Sequence, residues 1–132
     1  MITESKTDQP PEVAQRLTVA GHTLLADMTE EAGGHDLGPA PHDLFDASLA
    51  ACKTLTAHWY AKRIGLALES VEARVERDDS KEREGIYKLS VHMTYRGALT
   101  EAERNKLHAA VTRCPVHRLM TTSEVIIETA PL

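Results

Sequence analysis

The two cysteines, Cys52 and Cys114, are the side chains of this sequence best suited to redox chemistry. A thiolate is a strong nucleophile, and two thiols that meet in a folded chain can pass through a sulfenic acid to a disulfide. No export signal is visible in Met1–Lys6, and the cytosol keeps structural disulfides reduced. We therefore expect a cytoplasmic protein whose cysteines are either small buried hydrophobic side chains or a redox pair.

Local physics favours Cys114 over Cys52 as the more reactive sulfur. Pro115 disfavours helical dihedral angles at Cys114 and suits the first position of a short helix, so Cys114 is the predicted N-cap. An N-cap lies beside backbone N–H groups and the positive end of a helix dipole, both of which favour a thiolate. Around Cys52, Lys53 is the only nearby cation. Each cysteine also has a purely structural interpretation, Cys52 as an inert buried thiol and Cys114 as a helix junction.

Two other kinds of site have weaker sequence support. Cys114 and His117 form the only close Cys/His pair, and the chain lacks a second cysteine pair or a His-Glu-x-x-His motif, which argues against structural zinc. A metal-binding module that uses Cys114 and His117 with other histidines stays an alternative hypothesis to redox chemistry. No Gly-x-Ser-x-Gly turn marks a serine hydrolase, and Ser48 falls in mid-helix, where a bond to a backbone carbonyl is expected. No cofactor is implied.

Composition excludes several classes of function. Fifteen Lys and Arg against 20 Asp and Glu give a net charge of -5, and no basic cluster could follow a phosphate backbone, so nucleic acid is not an expected partner. No apolar run is long enough to span a membrane. Aromatic residues make up only 4% of the chain, which predicts a thin core of Ala, Leu and Val that gains by packing against a second copy.

Periodicity and capping signals predict an α+β chain with antiparallel strands. We expect a flexible or extended leader over residues 1–12, followed by a single domain over residues 13–132. A helix over Pro41–Ile64 should bury its small-residue segment Ala47–Cys52. The remaining predicted elements are a hairpin over Arg16–Asp27 that turns at Ala20-Gly21, a loop over Met28–Ala40, alternating strands around Val71–Glu76 and Tyr87–Tyr95, a helix capped by Thr100 that ends at Cys114, a short helix to Met120, and a strand over Val125–Thr129.

Several motifs together resemble the OsmC/Ohr superfamily of osmotically inducible and organic hydroperoxide resistance proteins. The resemblance extends from about Leu17 to Thr129 and includes both cysteines in context. The matching segments are Gly33-Gly34, Gly38-Pro39-Ala40-Pro41-His42-Asp43-Leu44, Ala47-Ser48-Leu49-Ala50-Ala51-Cys52, Tyr60-Ala61-Lys62-Arg63-Ile64-Gly65-Leu66, Cys114-Pro115-Val116-His117-Arg118 and Thr121-Thr122-Ser123-Glu124-Val125.

The resemblance implies an intertwined α+β homodimer in which antiparallel sheets wrap around two central helices, one from each subunit. It also implies that Cys52 is the peroxidatic cysteine, which attacks an organic hydroperoxide or hydrogen peroxide, and that Cys114 resolves the resulting sulfenic acid. The disulfide would then be reduced by a small or lipoyl-type dithiol. This assignment reverses the ranking that local physics gives.

The sequence departs from the family at the residues that stabilise the peroxidatic thiolate. In family members an N-terminal Arg pairs with a Glu ten residues before the cysteine, and His42 occupies that position here. Asp43 is the nearest carboxylate, and Arg16 is the only arginine before the long helix; Arg113 and Arg118 are alternatives near Cys114. A non-catalytic redox-sensing or ligand-binding dimer that keeps the fold is therefore the alternative function.

Overall fold

The structure is a computed structural model and describes residues 1–131. It contains two compact units, Met1–Phe45 and a second unit that begins at Asp46, with the division inside the long helix. The single domain predicted over residues 13–132 stays a prediction. The elements are β1 (Thr3–Thr7), β2 (Gln15–Val19), β3 (His22–Ala26), α1 (Pro41–Ile64), β4 (Leu68–Asp78), a 3-10 turn (Glu82–Glu84), β5 (Lys88–Gly97), α2 (Glu101–Thr112) and α3 (Pro115–Thr121).

The first unit is built on a three-stranded antiparallel sheet in the order β1-β2-β3. Ala20 and Gly21 both have positive φ, 48° and 85°, as a two-residue turn between twisted strands requires, and this confirms the predicted hairpin. Of the two forms predicted for the leader, the extended one is found in Thr3–Thr7, which pairs with β2. Every residue of β1 is exposed, so no alternation of hydrophobicity revealed the strand.

The carboxylate of Asp27 organises the loop that precedes α1. Asp27 is only 5% exposed and accepts backbone N–H bonds from Met28 (2.8 Å), His35 (3.1 Å) and Leu37 (3.2 Å). Burial alone would raise the pKa of this carboxyl, but the backbone donors outweigh it and hold the pKa below its ordinary value. The loop therefore enters the long helix along a fixed path although it has no regular structure.

Helix α1 begins at Pro41 and ends at Ile64, as the sequence predicts. Asp43 accepts the N–H of Ala40 at its start (3.0 Å), and Gly65, with φ of 74°, ends it. The predicted burial of Ala47–Cys52 is wrong for a single chain, because only Leu49 of that segment is buried. One stripe of α1 packs inside the second unit, and its members are four residues apart: Leu49, Lys53, Ala57 and Ala61.

The second unit has a two-stranded antiparallel sheet of β4 and β5, in the alternating pattern that the sequence predicts. Asp46 joins β4 and the residue that precedes β5 to α1, since its carboxylate accepts bonds from Arg77 Nε and from the Tyr87 hydroxyl, each at 2.7 Å. Burial, followed by the bond to Asp46, raises the pKa of Tyr87 to about 12, so the phenol remains a donor. The helix and the sheet are therefore held together by a charge-assisted cluster near the start of α1.

Helices α2 and α3 meet at Cys114. Thr100 and Glu103 form the predicted capping box of α2, whose Leu107 and Val111 are fully buried together with Cys114. Cys114 has extended dihedral angles and is the N-cap of α3, again as predicted. The short turn between the helices thus carries a cysteine in the core of the second unit.

The strand predicted over Val125–Thr129 is not present in the structure. The chain has no regular secondary structure there, and Val125, Ile126 and Ile127 are 60%, 77% and 80% exposed. A strand needs a hydrogen-bonded neighbour, and no strand among residues 1–131 pairs with this segment. Its β-branched residues favour a strand, but a strand forms only where a second strand pairs with it.

No helix within residues 1–131 has both the length and the apolar character needed to cross a membrane.

The capping box gives a direct test of the fold. We expect Thr100→Ala to lower the free energy of unfolding by about 1 kcal/mol, because the Glu103 N–H loses its side-chain acceptor. Urea unfolding followed by circular dichroism measures the change. Thr100→Ser keeps the hydroxyl and is the matched control; equal midpoints for the Ala and Ser variants would show that the box adds no stability.

Candidate active site

The two cysteines come from separate helices and meet inside the second unit. Cys52 is in the middle of α1 and Cys114 is the N-cap of α3; both are free thiols, and their side chains are hydrogen-bonded to each other. Cys52 is partly exposed, whereas Cys114 is 0% exposed. Of the two cysteines, Cys52 is therefore the one that solvent reaches.

The first turn of α3 presents backbone N–H groups to the two sulfurs. Pro115 has no N–H; Val116 donates to Cys52 Sγ at 3.4 Å, and the N–H of His117 is near enough to Cys114 to lower the pKa of its thiol. The Thr56 hydroxyl lies 4.0 Å from Cys52 Sγ, one helical turn further along α1. The donors predicted at the N-cap are present, but they are divided between the two cysteines.

Burial raises the pKa of the Cys114 thiol, contrary to the thiolate that its N-cap position predicts. The His117 N–H and the charge of Lys53 both lower this pKa, yet desolvation is the largest effect and the hydrogen bond to Cys52 adds to it. Cys114 thus remains a protonated thiol that can donate to Cys52. The N-cap argument failed because the sequence does not show that this cap is in the core.

Lys53 is a site residue whose position the sequence did not reveal. It is 5% exposed, and its Nζ donates to the Val111 carbonyl at 2.8 Å and lies 3.3 Å from His117 Nδ1. The spacing of four residues from Leu49 and to Ala57 is the signal that could have placed it on the buried stripe of α1. A charged side chain on a buried stripe needs a specific partner for its charge or its N–H groups.

The other predicted site residues fall in several places. Arg16, in β2, binds Asp8 through Nε and Nη2, each at 2.8 Å, and its side chain is 54% exposed. His42 and Asp43 are exposed residues of the first turn of α1. Their catalytic roles stay predictions. Of the two alternative arginines, Arg113 is the C-cap of α2 and Arg118 lies in α3; both are exposed.

Among residues 1–131, no group of three or more His, Cys, Asp or Glu side chains is arranged to hold a metal ion. His117 Nδ1 faces Lys53 instead. Ser48 is an exposed residue within α1. Cys52 and Cys114 form a pair of adjacent thiols with N–H donors and a buried cation nearby, an arrangement that suits sulfur-centred redox chemistry.

Solved structures with similar folds cover nearly the whole chain. An OsmC-like protein from Mycoplasma pneumoniae has a TM-score of 0.72 at 16% identity, covering 92% of this chain and 86% of its own. The organic hydroperoxide resistance protein OsmC from Legionella pneumophila has a TM-score of 0.62 at 24% identity, with coverage of 92% and 90%. The organic hydroperoxide resistance protein OhrB of Bacillus subtilis has a TM-score of 0.60 at 19% identity, also with coverage of 92% and 90%.

These identities are low, and comparison with curated proteins finds none that matches the sequence. The likeness to the solved structures therefore establishes an α+β fold with antiparallel sheets. A family model for OsmC-like protein matches residues 33–130, a range that includes α1, both sheet strands of the second unit and both cysteines. The chain thus belongs to the OsmC-like protein family.

Proposed function

We propose that this protein reduces organic hydroperoxides through Cys52 and Cys114. The observation that carries the proposal is the direct contact between the two thiols, one partly exposed and the other buried. A buried structural cysteine needs no second cysteine at its sulfur, whereas a peroxidase that forms a disulfide does. The Legionella and Bacillus proteins of similar fold are organic hydroperoxide resistance proteins, which supports this choice of substrate.

In the first step the Cys52 thiolate attacks one oxygen of the peroxide bond. The S–O bond forms as the O–O bond breaks, the departing alkoxide takes a proton to become an alcohol, and Cys52 is oxidised to a sulfenic acid. The Val116 N–H and the Cys114 S–H are both in place to stabilise the attacking thiolate. Cys52 fits this role because it is the sulfur that substrate can reach.

In the second step Cys114 attacks the sulfenic sulfur. A disulfide forms and hydroxide leaves, which becomes water with the proton that Cys114 loses. A dithiol then reduces the disulfide by exchange, so that two electrons and two protons return to the cysteines and the dithiol becomes a cyclic disulfide. The raised pKa of Cys114 suits a resolving residue, since it stays protonated until the sulfenic acid has formed.

One equivalent of tert-butyl hydroperoxide should consume both thiols and create a Cys52–Cys114 disulfide. The expected product is two mass units lighter than the reduced protein, and peptide mapping without reductant should recover the cross-linked pair. Recovery of both cysteines as free thiols after treatment would eliminate the two-cysteine mechanism.

Single substitutions should separate the roles of the two sulfurs. We expect Cys52→Ser to lower turnover by roughly 10³-fold or more, because the nucleophile is lost. Cys114→Ser should still consume one equivalent of peroxide and accumulate a sulfenic acid that dimedone traps. The measurement is peroxide consumption with a dithiol such as dihydrolipoamide. A wild-type rate no higher than that of free cysteine would favour the non-catalytic redox-sensing dimer instead.

The protein is further proposed to work as a homodimer. Large apolar side chains are exposed along α1 in a single chain, with Leu55 at 67% and Trp59 at 60%, and the tail segment Val125–Ile127 is exposed as well. A second copy would cover such surfaces, which soluble monomers rarely leave open. It would also offer a strand edge to the unpaired tail.

Leu55→Asp should turn the dimer into a monomer by placing a charge in the interface. Size-exclusion chromatography with light scattering measures the mass, and circular dichroism checks the fold. Ile86→Asp, which alters an apolar side chain that is 54% exposed next to β5, is the matched control and should remain dimeric. A monomeric wild type, or a dimeric Leu55→Asp variant, would contradict this interface.

A further inference from the structure

Lys53 is the one lysine of α1 whose side chain is held inside the second unit. Nζ donates to the Val111 carbonyl and lies 3.3 Å from His117 Nδ1, and no carboxylate within residues 1–131 forms an ion pair with it. A buried ammonium without an anion is costly, which raises the question of what balances its charge.

The two residues that Lys53 contacts lie on either side of Cys114 in the sequence. Val111 is three residues before Cys114, and its carbonyl also accepts the Cys114 N–H at 3.3 Å. His117 is three residues after Cys114, and its backbone N–H lowers the pKa of the Cys114 thiol. The ammonium is therefore fixed on both sides of the α2–α3 junction, close enough for its charge to favour the ionised form of Cys114.

We propose that Lys53 is the positioning residue that supplies the cation for the thiol pair, so that its ammonium and the one negative charge shared by Cys52 and Cys114 balance each other. The inference rests on the proposed function, because it assigns the source of the charge that the peroxidatic thiolate needs. The cation comes from the residue next to Cys52 on α1 and is held at the α2–α3 junction by Val111 and His117. The titratable groups that face it are His117, whose Nδ1 lies 3.3 Å from Nζ, and Cys114, whose pKa its charge lowers; Cys52 interacts with Cys114 in turn.

The chemistry of the pair gives Lys53 a role in both steps. While Cys52 is the thiolate, the neutral Cys114 thiol donates to it, and the ammonium at the α2–α3 junction offsets the negative charge. When Cys114 gives up its proton to attack the sulfenic acid, the negative charge moves onto the sulfur nearest to Val111 and His117. An opposite charge within about 4–6 Å typically lowers an acid's pKa by 1–3 units, enough to offset part of the effect of burial.

The test is the pH profile of thiol alkylation by iodoacetamide, measured without peroxide and resolved by peptide mass spectrometry. Lys53→Gln keeps an N–H donor for Val111 but removes the charge. It should raise the pH midpoint of Cys52 alkylation by about one unit or more. At pH values below both midpoints, the variant should be alkylated roughly tenfold more slowly than the wild type. Lys53→Arg keeps the charge and should restore most of the wild-type profile. Lys62→Gln removes an exposed lysine of the same helix and is the matched control.

A Lys53→Gln profile that superimposes on the wild type, with circular dichroism showing a folded protein, would overturn the inference. If Lys53→Gln does not fold, the wild type provides the reciprocal measurement, since coupling between two sites acts equally in both directions. The titration midpoint of Lys53, followed by its ¹³Cε resonance, should then be lower in the Cys52→Ser, Cys114→Ser double variant than in the reduced wild type. Equal midpoints would refute the proposal.

The result is separable from the proposed activity. An active wild type whose thiol profile ignores the charge at position 53 would refute the role of Lys53 and leave the peroxidase intact. A wild type that reduces no hydroperoxide but shows the shifted profile would support the role of Lys53 and refute the peroxidase.

Discussion

The side chain of Lys53 crosses from α1 to the junction of α2 and α3, and the arrangement of the site depends on this contact. Its Nζ binds the carbonyl of Val111 and the ring of His117, and these two residues flank Cys114 on the chain. The N–H groups that follow Pro115 can reach the two sulfurs only if α3 begins at this point relative to α1. A hydrophobic residue at position 53 could fill the space but could not hold the junction through a carbonyl and a ring nitrogen.

The thin core of the second unit explains why a polar contact holds α1 against the junction of α2 and α3. The fully buried side chains of the second unit are few, with Leu107 and Val111 the large ones, while α1 contributes the small residues Ala57 and Ala61. Small residues allow close approach but bury little apolar area, so each contributes little to fixing one helix against another. Asp46 compensates at one end of the unit through Arg77 and Tyr87, and Lys53 does so at the cysteines. Large apolar side chains of α1 remain outside this core, consistent with a chain whose packing continues in a second copy.

Local signals predicted the elements of this fold well, and distant contacts account for the errors. The bounds of α1, the capping box at Thr100 and the N-cap at Cys114 depend on residues a few positions apart, and all three are confirmed. The strand over 125–129 failed because a strand is defined by its neighbour, and none of the described strands pairs with it. β1 had no hydrophobic alternation to reveal it. At the site, the family resemblance paired Cys52 with Cys114, whereas the place of Lys53 required knowing which stripe of α1 is buried.

The opposite expectations for Cys114 show how burial competes with hydrogen bonding. Its N-cap position does supply an N–H donor, and Lys53 adds a favourable charge, yet removing the sulfur from water has the larger effect on its pKa. Such a cysteine is a poor first nucleophile because it holds its proton, but it is a good hydrogen-bond donor to a neighbouring thiolate. In the proposed reaction, the contact between the sulfurs would make the second attack effectively intramolecular once the neighbour is oxidised, and proximity would offset the low thiolate fraction. The burial that keeps Cys114 from meeting a peroxide would therefore suit it to the proposed resolving role.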